Sequence, residues 1–220
     1  MTSPDLARPS TDPATAHPGR ARRGAWSGPA GFWLVGLCVV TILAASSAPS
    51  PLYPVYADRF GLSPALVTAV FAVYAVALLT ALLTVGGLSD HVGRRPMLLA
   101  ALGLEAVSLI VLALADGAGD LIVGRIVQGV ATGAFTGVAS AALVDLQPVG
   151  TQLGALVNSA GATVGLAVGA LGSGTLVQLA PLPTELVYLV LLVLMIVLAG
   201  LLWRLPETAE RRPGAPGRLN

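Results

Sequence analysis

The chain has 220 residues, of which 55% are hydrophobic and only 10% are charged, and its formal net charge is +1. Charged residues at this frequency are too few to form the surface of a water-soluble globule of this length. The composition therefore excludes the ordinary soluble classes and indicates a protein whose solvent is the bilayer. One cysteine and two distant histidines exclude a disulfide framework and a histidine–cysteine metal cluster.

The N-terminal residues 1–28 differ in kind from the rest of the chain. They are rich in Pro, Ser, Thr and Arg and contain few large apolar side chains before Trp26. This composition predicts a disordered arm. The apolar run that follows is longer than the apolar core of a secretory signal, so we expect the first helix to stay in the protein.

Six apolar runs follow, and each approaches the roughly 20 residues that a helix needs to cross about 30 Å of hydrocarbon. The predicted helices are Gly31–Leu52, Pro64–Val85, Pro96–Ala115, Asp120–Leu143, Gln152–Val177 and Glu185–Trp203. Proline and glycine mark the short connections between them. The sequence therefore predicts an all-α membrane protein, with a six-helix bundle over residues 29–204 and a polar tail over residues 205–220.

The arginines predict the orientation of this bundle, because the chain contains no lysine. Ten of the twelve arginines precede the first helix, follow the second or follow the sixth, which places them on one side. The positive-inside rule assigns that side, with both termini, to the cytoplasm. The abundance of Ala, Gly, Arg and Pro without Lys indicates a GC-rich bacterial source, so we expect the bacterial inner membrane.

The connection between the second and third helices reads GGLSDHVGRRP over residues 86–96. Gly86 and Gly93 allow a tight turn between packed helices, and Asp90 can face a helix N-terminus. Arg94 and Arg95 can bind helix carbonyls, a carboxylate or anionic headgroups. For the two arginines alone, a loop that merely obeys the charge rule is the alternative.

This order of residues resembles the signature loop of major facilitator superfamily transporters, which are secondary carriers of small solutes. The resemblance implies that Asp90 and Arg94 belong to a charge network that closes the cytoplasmic side, with Asp145 at the end of the fourth helix as the partner of Arg94. His91 departs from the family pattern, which usually has Arg or Lys there. One positive contact of the loop would therefore depend on pH.

The fourth predicted helix carries a polar face. At 100° per residue, a stripe about 120° wide contains Arg125, Gln128, Thr132, Thr136 and Ser140. The segment GRIVQG over residues 124–129 also resembles the R-x-x-Q-G element of the same superfamily. We expect a cavity wall on which Arg125 binds an anionic substrate group or tunes a proton-carrying carboxylate. The alternative is a snorkelling arginine, roughly 8 Å below the outer boundary.

Two glycine seams predict close helix packing. They consist of Gly129, Gly133 and Gly137 on the fourth helix, and of Gly161, Gly165, Gly169 and Gly172 on the fifth. The fifth-helix seam shares a face with Asn158 and resembles the motif of proton-coupled drug antiporters. Leu166 and Ala170 depart from that motif, in which a proline follows the second glycine and a glycine follows the third.

Glu105 is the one carboxylate deep within a predicted helix, roughly 14 Å from its cytoplasmic end. An intramembrane acid is a candidate for function, and proton coupling is one role it could have. A structural hydrogen bond or a neutral buried acid is the alternative, because third helices are mostly peripheral in the superfamily.

Three helices followed by three of similar span form the inverted repeat of one transporter half. The resemblance covers nearly all of this chain but half of the usual protein. It implies a non-enzymatic secondary transporter without a cofactor, driven by a proton gradient and exporting small organic compounds, with no role for nucleic acid. We expect it to need a second six-helix half or a second copy. The alternatives are a split fragment that acts at most as a membrane interaction subunit, and an uptake carrier for sugars or organic acids.

Overall fold

The computed structural model describes residues 29–85, 92–179, 182 and 184–204. In this part of the chain the secondary structure is helical. The helices are α1 Pro29–Ser47, α2 Tyr53–Phe60, α3 Pro64–Val85, α4 Arg94–Ala113, α5 Ala118–Leu146, α6 Leu153–Leu179 and α7 Leu186–Trp203. Six helical segments are long and apolar enough to cross a membrane, as the sequence predicts.

The first predicted helix differs from expectation in its second half. Instead of continuing to Leu52, α1 ends at Ser47, and a 3-10 turn over Ser50–Leu52 connects it to the short helix α2. Pro49 and Pro51 cause this break, because a proline has no amide hydrogen to continue the helical ladder. The other predicted helix ends agree with the structure to within three residues.

Successive spans run in opposite directions, so the bundle has two ends. Contacts between neighbouring helices show which helix ends lie together at each of them. At the loop end, where Val85 and Arg94 lie, the last turns of α5 and α7 contact the first turns of α6 and α4. The far end carries α2 and the α4–α5 connection. Because the number of spans is even, Pro29 and Arg204 both lie at the loop end.

Helix packing follows a two-fold pattern. The most extensive pairs are α3 with α5, α4 with α5 and α1 with α6, and α7 packs on α1 as α4 packs on α5. Exchanging α1 with α5, α3 with α6 and α4 with α7 converts each of these pairs into another pair of the same set. Such an exchange is the signature of a 3+3 inverted repeat.

Glycines allow the α3–α5 and α1–α6 pairs to approach closely. A Cβ on Gly133 of α5 would overlap the Leu78 carbonyl of α3, and a Cβ on Gly165 of α6 would overlap the Val40 carbonyl of α1. Gly129 and Gly169 are similarly close to the facing backbones, whereas Gly161 has only ordinary side-chain contacts. Gly172 has no neighbour in this position, so the α6 seam ends before it.

Candidate functional site

The break after α1 leaves backbone carbonyls without their usual donors. In a continuous helix the Ala45 carbonyl would accept from the amide of residue 49, but Pro49 has none. The Leu52 amide, which would serve Ala48, donates instead to the Pro49 carbonyl at 3.0 Å. Unsatisfied carbonyls at the end of a buried helix need other donors.

Side chains from α5 and α6 supply those donors. Gln128 Nε2 donates to the Ala45 carbonyl at 3.1 Å, and Arg125 Nη1 donates to the Ser46 carbonyl at 3.0 Å. Ser173 Oγ donates to the Ala48 carbonyl at 2.6 Å. A guanidinium at this position also complements the negative end of the α1 dipole. Arg125 and Gln128 therefore cap the broken end of α1.

The cap continues into a buried polar network. Arg125 Nη1 donates to Gln128 Oε1 at 2.5 Å, and Gln128 Nε2 donates to Glu105 Oε1 on α4 at 2.9 Å. The side chains of Glu105 and Gln128 are 0% exposed, and that of Arg125 is 2% exposed. The Gln128 amide thus lies between a guanidinium and a carboxyl group, and only one orientation of the amide satisfies both.

Three buried atoms of this site, Glu105 Oε2, Arg125 Nε and Thr132 Oγ1, make no hydrogen bond of standard geometry among the described residues, although Thr132 lies close enough to interact with Glu105 and Tyr74. Thr132 is fully buried one turn beyond Gln128 on the same face of α5. Leaving such groups unsatisfied costs about 1–3 kcal/mol each, and buried exceptions of this kind often mark function. Glu105 Oε2 is the atom of this network that can take up a proton.

Aromatic rings of α3 cover the guanidinium from the other side. The Arg125 Cζ lies 4.0 Å from the centroid of the Tyr74 ring and 5.8 Å from that of Phe71. Tyr53 of α2 packs on Phe71 with ring centroids 4.4 Å apart. Cation–π contact stabilises a desolvated guanidinium. The side chain is directed into the bundle in this way, which does not fit the snorkelling alternative.

The remaining polar candidates lie apart from this network. The Thr136 and Ser140 hydroxyls donate back to carbonyls of their own helix, at 2.7 and 2.9 Å. Asn158 is half-buried near the loop end of α6, next to Val157, which packs against Gly36. The structure therefore brings together Glu105, Arg125, Gln128 and Thr132, and it leaves Thr136 and Asn158 outside this group.

At the loop end, Gly93 has a φ of 104°, which glycine adopts without the strain of a Cβ. The Arg94 guanidinium forms an ion pair with Asp145 and donates to the Ala141 carbonyl at 2.6 Å. Arg95 donates to the Trp203 carbonyl, and its Cζ lies 5.4 Å from the centroid of the Trp203 ring. Gly86, Asp90 and His91 lie outside the described residues.

Sequence reasoning did not anticipate two groups of side-chain contacts. It did not connect Arg125 and Gln128 with the carbonyls of α1, although the prolines at 49, 51 and 54 indicated that those carbonyls would lose their donors. It also did not identify Ser173 as a donor to that break or Trp203 as the partner of Arg95. No local pattern distinguishes these two residues from ordinary lipid-facing or packing residues.

Comparison with known proteins agrees with this architecture. The sequence profile of the Major Facilitator Superfamily matches residues 35–219. The crystal structure of the human organic anion transporter MFSD10 (TETRAN) superposes with a TM-score of 0.65 at 21% sequence identity, over 84% of this chain and 49% of that one. At this identity the likeness concerns the fold alone, and the chain spans about half the length of that transporter.

A comparison with curated proteins gives no significant match. The family profile nevertheless covers most of the sequence, and the fold and its two-fold packing pattern agree with it. The chain therefore belongs to the Major Facilitator Superfamily, with the fold of one six-helix half of such a transporter.

Proposed function

We propose that this bundle works as half of a secondary transporter that exports small organic compounds in exchange for protons. The observation that carries the proposal is the buried line from Glu105 through Gln128 to Arg125. Ionisable groups inside a membrane are costly, and they concentrate at transport and proton-relay sites. Such a carrier needs a proton gradient but no cofactor.

Protonation of Glu105 would change the hydrogen bonds that Gln128 and Arg125 make, and through them the contacts with α1. With Glu105 ionised, its negative charge balances the positive charge of Arg125. With Glu105 protonated, Gln128 Nε2 loses a charged acceptor, and Arg125 is balanced only by the carbonyl of Ser46 and the Gln128 amide. The strength of the hydrogen bonds from α5 to the broken end of α1 would therefore change with the protonation state of Glu105.

A second bundle completes the proposed carrier, either a separate six-helix half or a second copy of this chain. Support comes from the length of the solved transporter, of which this chain covers 49%. Exposed apolar side chains on α3 and α6, such as Leu83 and Leu171, give surfaces for lipid or another bundle. The arginine distribution supports the inner membrane with both termini in the cytoplasm.

Export is favoured over uptake by the glycine seam of α6, which resembles that of drug antiporters except at Leu166 and Ala170. A second candidate function is a membrane interaction subunit that does not transport alone. A sugar or organic-acid uptake carrier is the third. The direction of transport separates export from uptake. The presence or absence of transport with a second bundle separates the two carriers from the interaction subunit.

The test is flux of a panel of organic cations, anions, sugars and organic acids in proteoliposomes, with and without a candidate second half. We expect flux that follows an imposed pH gradient, and we expect Glu105→Gln to abolish that dependence because the amide cannot exchange a proton. Asp58→Asn is the matched control, because Asp58 is an exposed carboxylate at the far end.

Two results would contradict the proposal in different ways. Gradient-dependent flux that survives in Glu105→Gln would remove Glu105 from proton coupling while leaving transport intact. Absence of flux for every compound, alone and with a second half, would contradict transport and leave the interaction subunit. Size-exclusion profiles of each variant show whether a loss reflects misfolding.

A further inference from the structure

A separate cavity of about 300 Å³ lies at the far end, away from the buried network. Its polar lining comes from three elements: Arg59 of α2, Asp116 of the α4–α5 connection and Glu185 at the start of α7. Its apolar lining includes Leu114 and Leu189. This volume is at the lower limit of small-molecule sites, which measure roughly 300–1,000 Å³.

The charges in this cavity face one another without pairing. Among the described residues, Arg59 makes no ion pair within 4.0 Å, although two carboxylates line the same space. Its Cζ lies 5.3 Å from the Phe60 ring centroid, which orients the guanidinium. One cation and two anions held apart around a cavity complement a ligand that itself carries both signs of charge.

Two apolar stripes lead from this cavity along the outside of the bundle. On α7 the exposed side chains of Leu189, Val193 and Ile196 follow helical spacing, and exposed Ile110 near the end of α4 is followed by exposed Leu114 just after that helix. The cavity itself lies where α4 ends and α7 begins, which is the level at which the apolar spans give way to polar residues. A charged cavity at that level matches a phospholipid headgroup, and the apolar stripes beside it match an acyl chain.

We propose that the Arg59–Asp116–Glu185 cavity binds the headgroup of a phospholipid that carries a phosphate and a primary ammonium, with an acyl chain along the α4–α7 seam. Arg59 binds the phosphate, because a guanidinium matches its oxygens with two parallel hydrogen bonds. Asp116 and Glu185 bind the ammonium, whose three N–H groups suit carboxylate acceptors. This site is independent of the transport proposal.

Headgroup chemistry gives a test that needs no variant. Native mass spectrometry of the full chain, released from detergent with equimolar lipids, measures retention of phosphatidylethanolamine, its N-methylated and N,N-dimethylated forms, phosphatidylcholine and phosphatidylglycerol. We expect retention to fall with each methyl group, because each removes an N–H donor. Phosphatidylglycerol has no ammonium and should be retained least. Equal retention of phosphatidylethanolamine and phosphatidylcholine would overturn the proposal.

Variants then assign the residues. The double variant Asp116→Asn/Glu185→Gln should lower the preference for phosphatidylethanolamine over phosphatidylcholine by about tenfold or more, because it removes both charge-assisted interactions with the ammonium. Arg59→Gln should lower retention of all these lipids. Asp58→Asn is the control, because Asp58 is a neighbouring exposed carboxylate that does not line the cavity. An unchanged preference in the double variant would refute the assignment.

Free phosphoethanolamine distinguishes a lipid from a soluble zwitterion with the same charges. We expect it to displace the lipid only weakly, because it lacks the acyl chains that cover the apolar stripes. Binding as tight as that of the lipid would show a site for soluble zwitterions and would overturn the lipid proposal. None of these measurements depends on flux, so their outcome is separate from that of the transport test.

Discussion

At the scale of single residues, Gln128 holds the buried site together. Its amide accepts from Arg125 and donates both to Glu105 and to the Ala45 carbonyl, so it connects α4, α5 and α1. Neither charged residue bonds the other directly in this arrangement. The role of Gln128 is therefore to let a guanidinium and a carboxyl share one buried site without forming a closed ion pair.

Replacing Gln128 tests this role through stability. Gln128→Leu keeps a similar volume but removes the acceptor of Arg125 and the donor of Ala45 and Glu105, so we expect the free energy of unfolding to fall by about 2 kcal/mol or more. Denaturant titration in detergent micelles measures it. Gln152→Leu is the control, because Gln152 is exposed before α6. Equal stability of both variants would contradict the role of Gln128 in connecting α4, α5 and α1.

At the scale of helices, the two glycine seams determine which pairs lie closest. The α5 seam packs on α3 and the α6 seam packs on α1, and these pairs exchange under the pseudo-two-fold relation of the fold. The Ser47 hydroxyl donates to the Leu166 carbonyl at 2.9 Å across the α1–α6 pair, beside the close approach at Gly165. Gly165 and Gly169 of α6 therefore have a packing role in this structure, alongside their resemblance to an antiporter motif.

Two alanine substitutions on α6 separate packing from helix propensity. Gly165→Ala would force its Cβ against the Val40 carbonyl and Leu43 Cβ, so we expect destabilisation of about 2 kcal/mol from overpacking. Gly172→Ala meets nothing within 4 Å, so it should be neutral or slightly stabilising. Thermal unfolding midpoints of the two variants in one detergent give the comparison. A similar loss in both would show that contact with α1 is not the cause.

At the scale of the whole molecule, the polar contacts divide between the two ends and the middle. Arg94 and Arg95 connect α4 to the ends of α5 and α7 at the loop end. Glu105 and Arg125 occupy the interior, and the Arg59 cavity lies at the far end. Arg94 and Arg95 each donate to a carbonyl of a neighbouring helix, so these contacts connect three helices at the loop end.

A double-mutant cycle measures the contact of Arg94 with Asp145. We expect a coupling free energy of about 1 kcal/mol between Arg94→Gln and Asp145→Asn, since the pair is partly exposed. Arg94→Gln should cost more than Asp145→Asn, because it also removes the hydrogen bond to Ala141. Pairing Arg94→Gln with Asp120→Asn at the opposite end of α5 should give additive effects. Additivity in the Asp145 cycle as well would show that the Arg94–Asp145 ion pair contributes no coupling.

The sequence alone determined the six spans, the polar stripe of α5 and the spacing of the glycine seams. Composition and helical periodicity are local properties, so they can be determined from the sequence without knowing how the helices pack. For the same reason Arg125, Gln128 and Thr132 could be placed on one face, and Glu105 deep in its helix. Gly86 and Asp90 were assigned from turn chemistry and from the resemblance, and they lie outside the described residues.

Only the tertiary structure decided which groups meet. Whether Glu105 faces Gln128 or lipid depends on the rotation and axial register of α4 against α5, which are set by packing over their whole length and not by any local pattern. The same holds for the carbonyls freed by Pro49, whose donors come from residues about 80 positions later in the chain. A buried carbonyl must find a donor, but the sequence does not say which helix brings it.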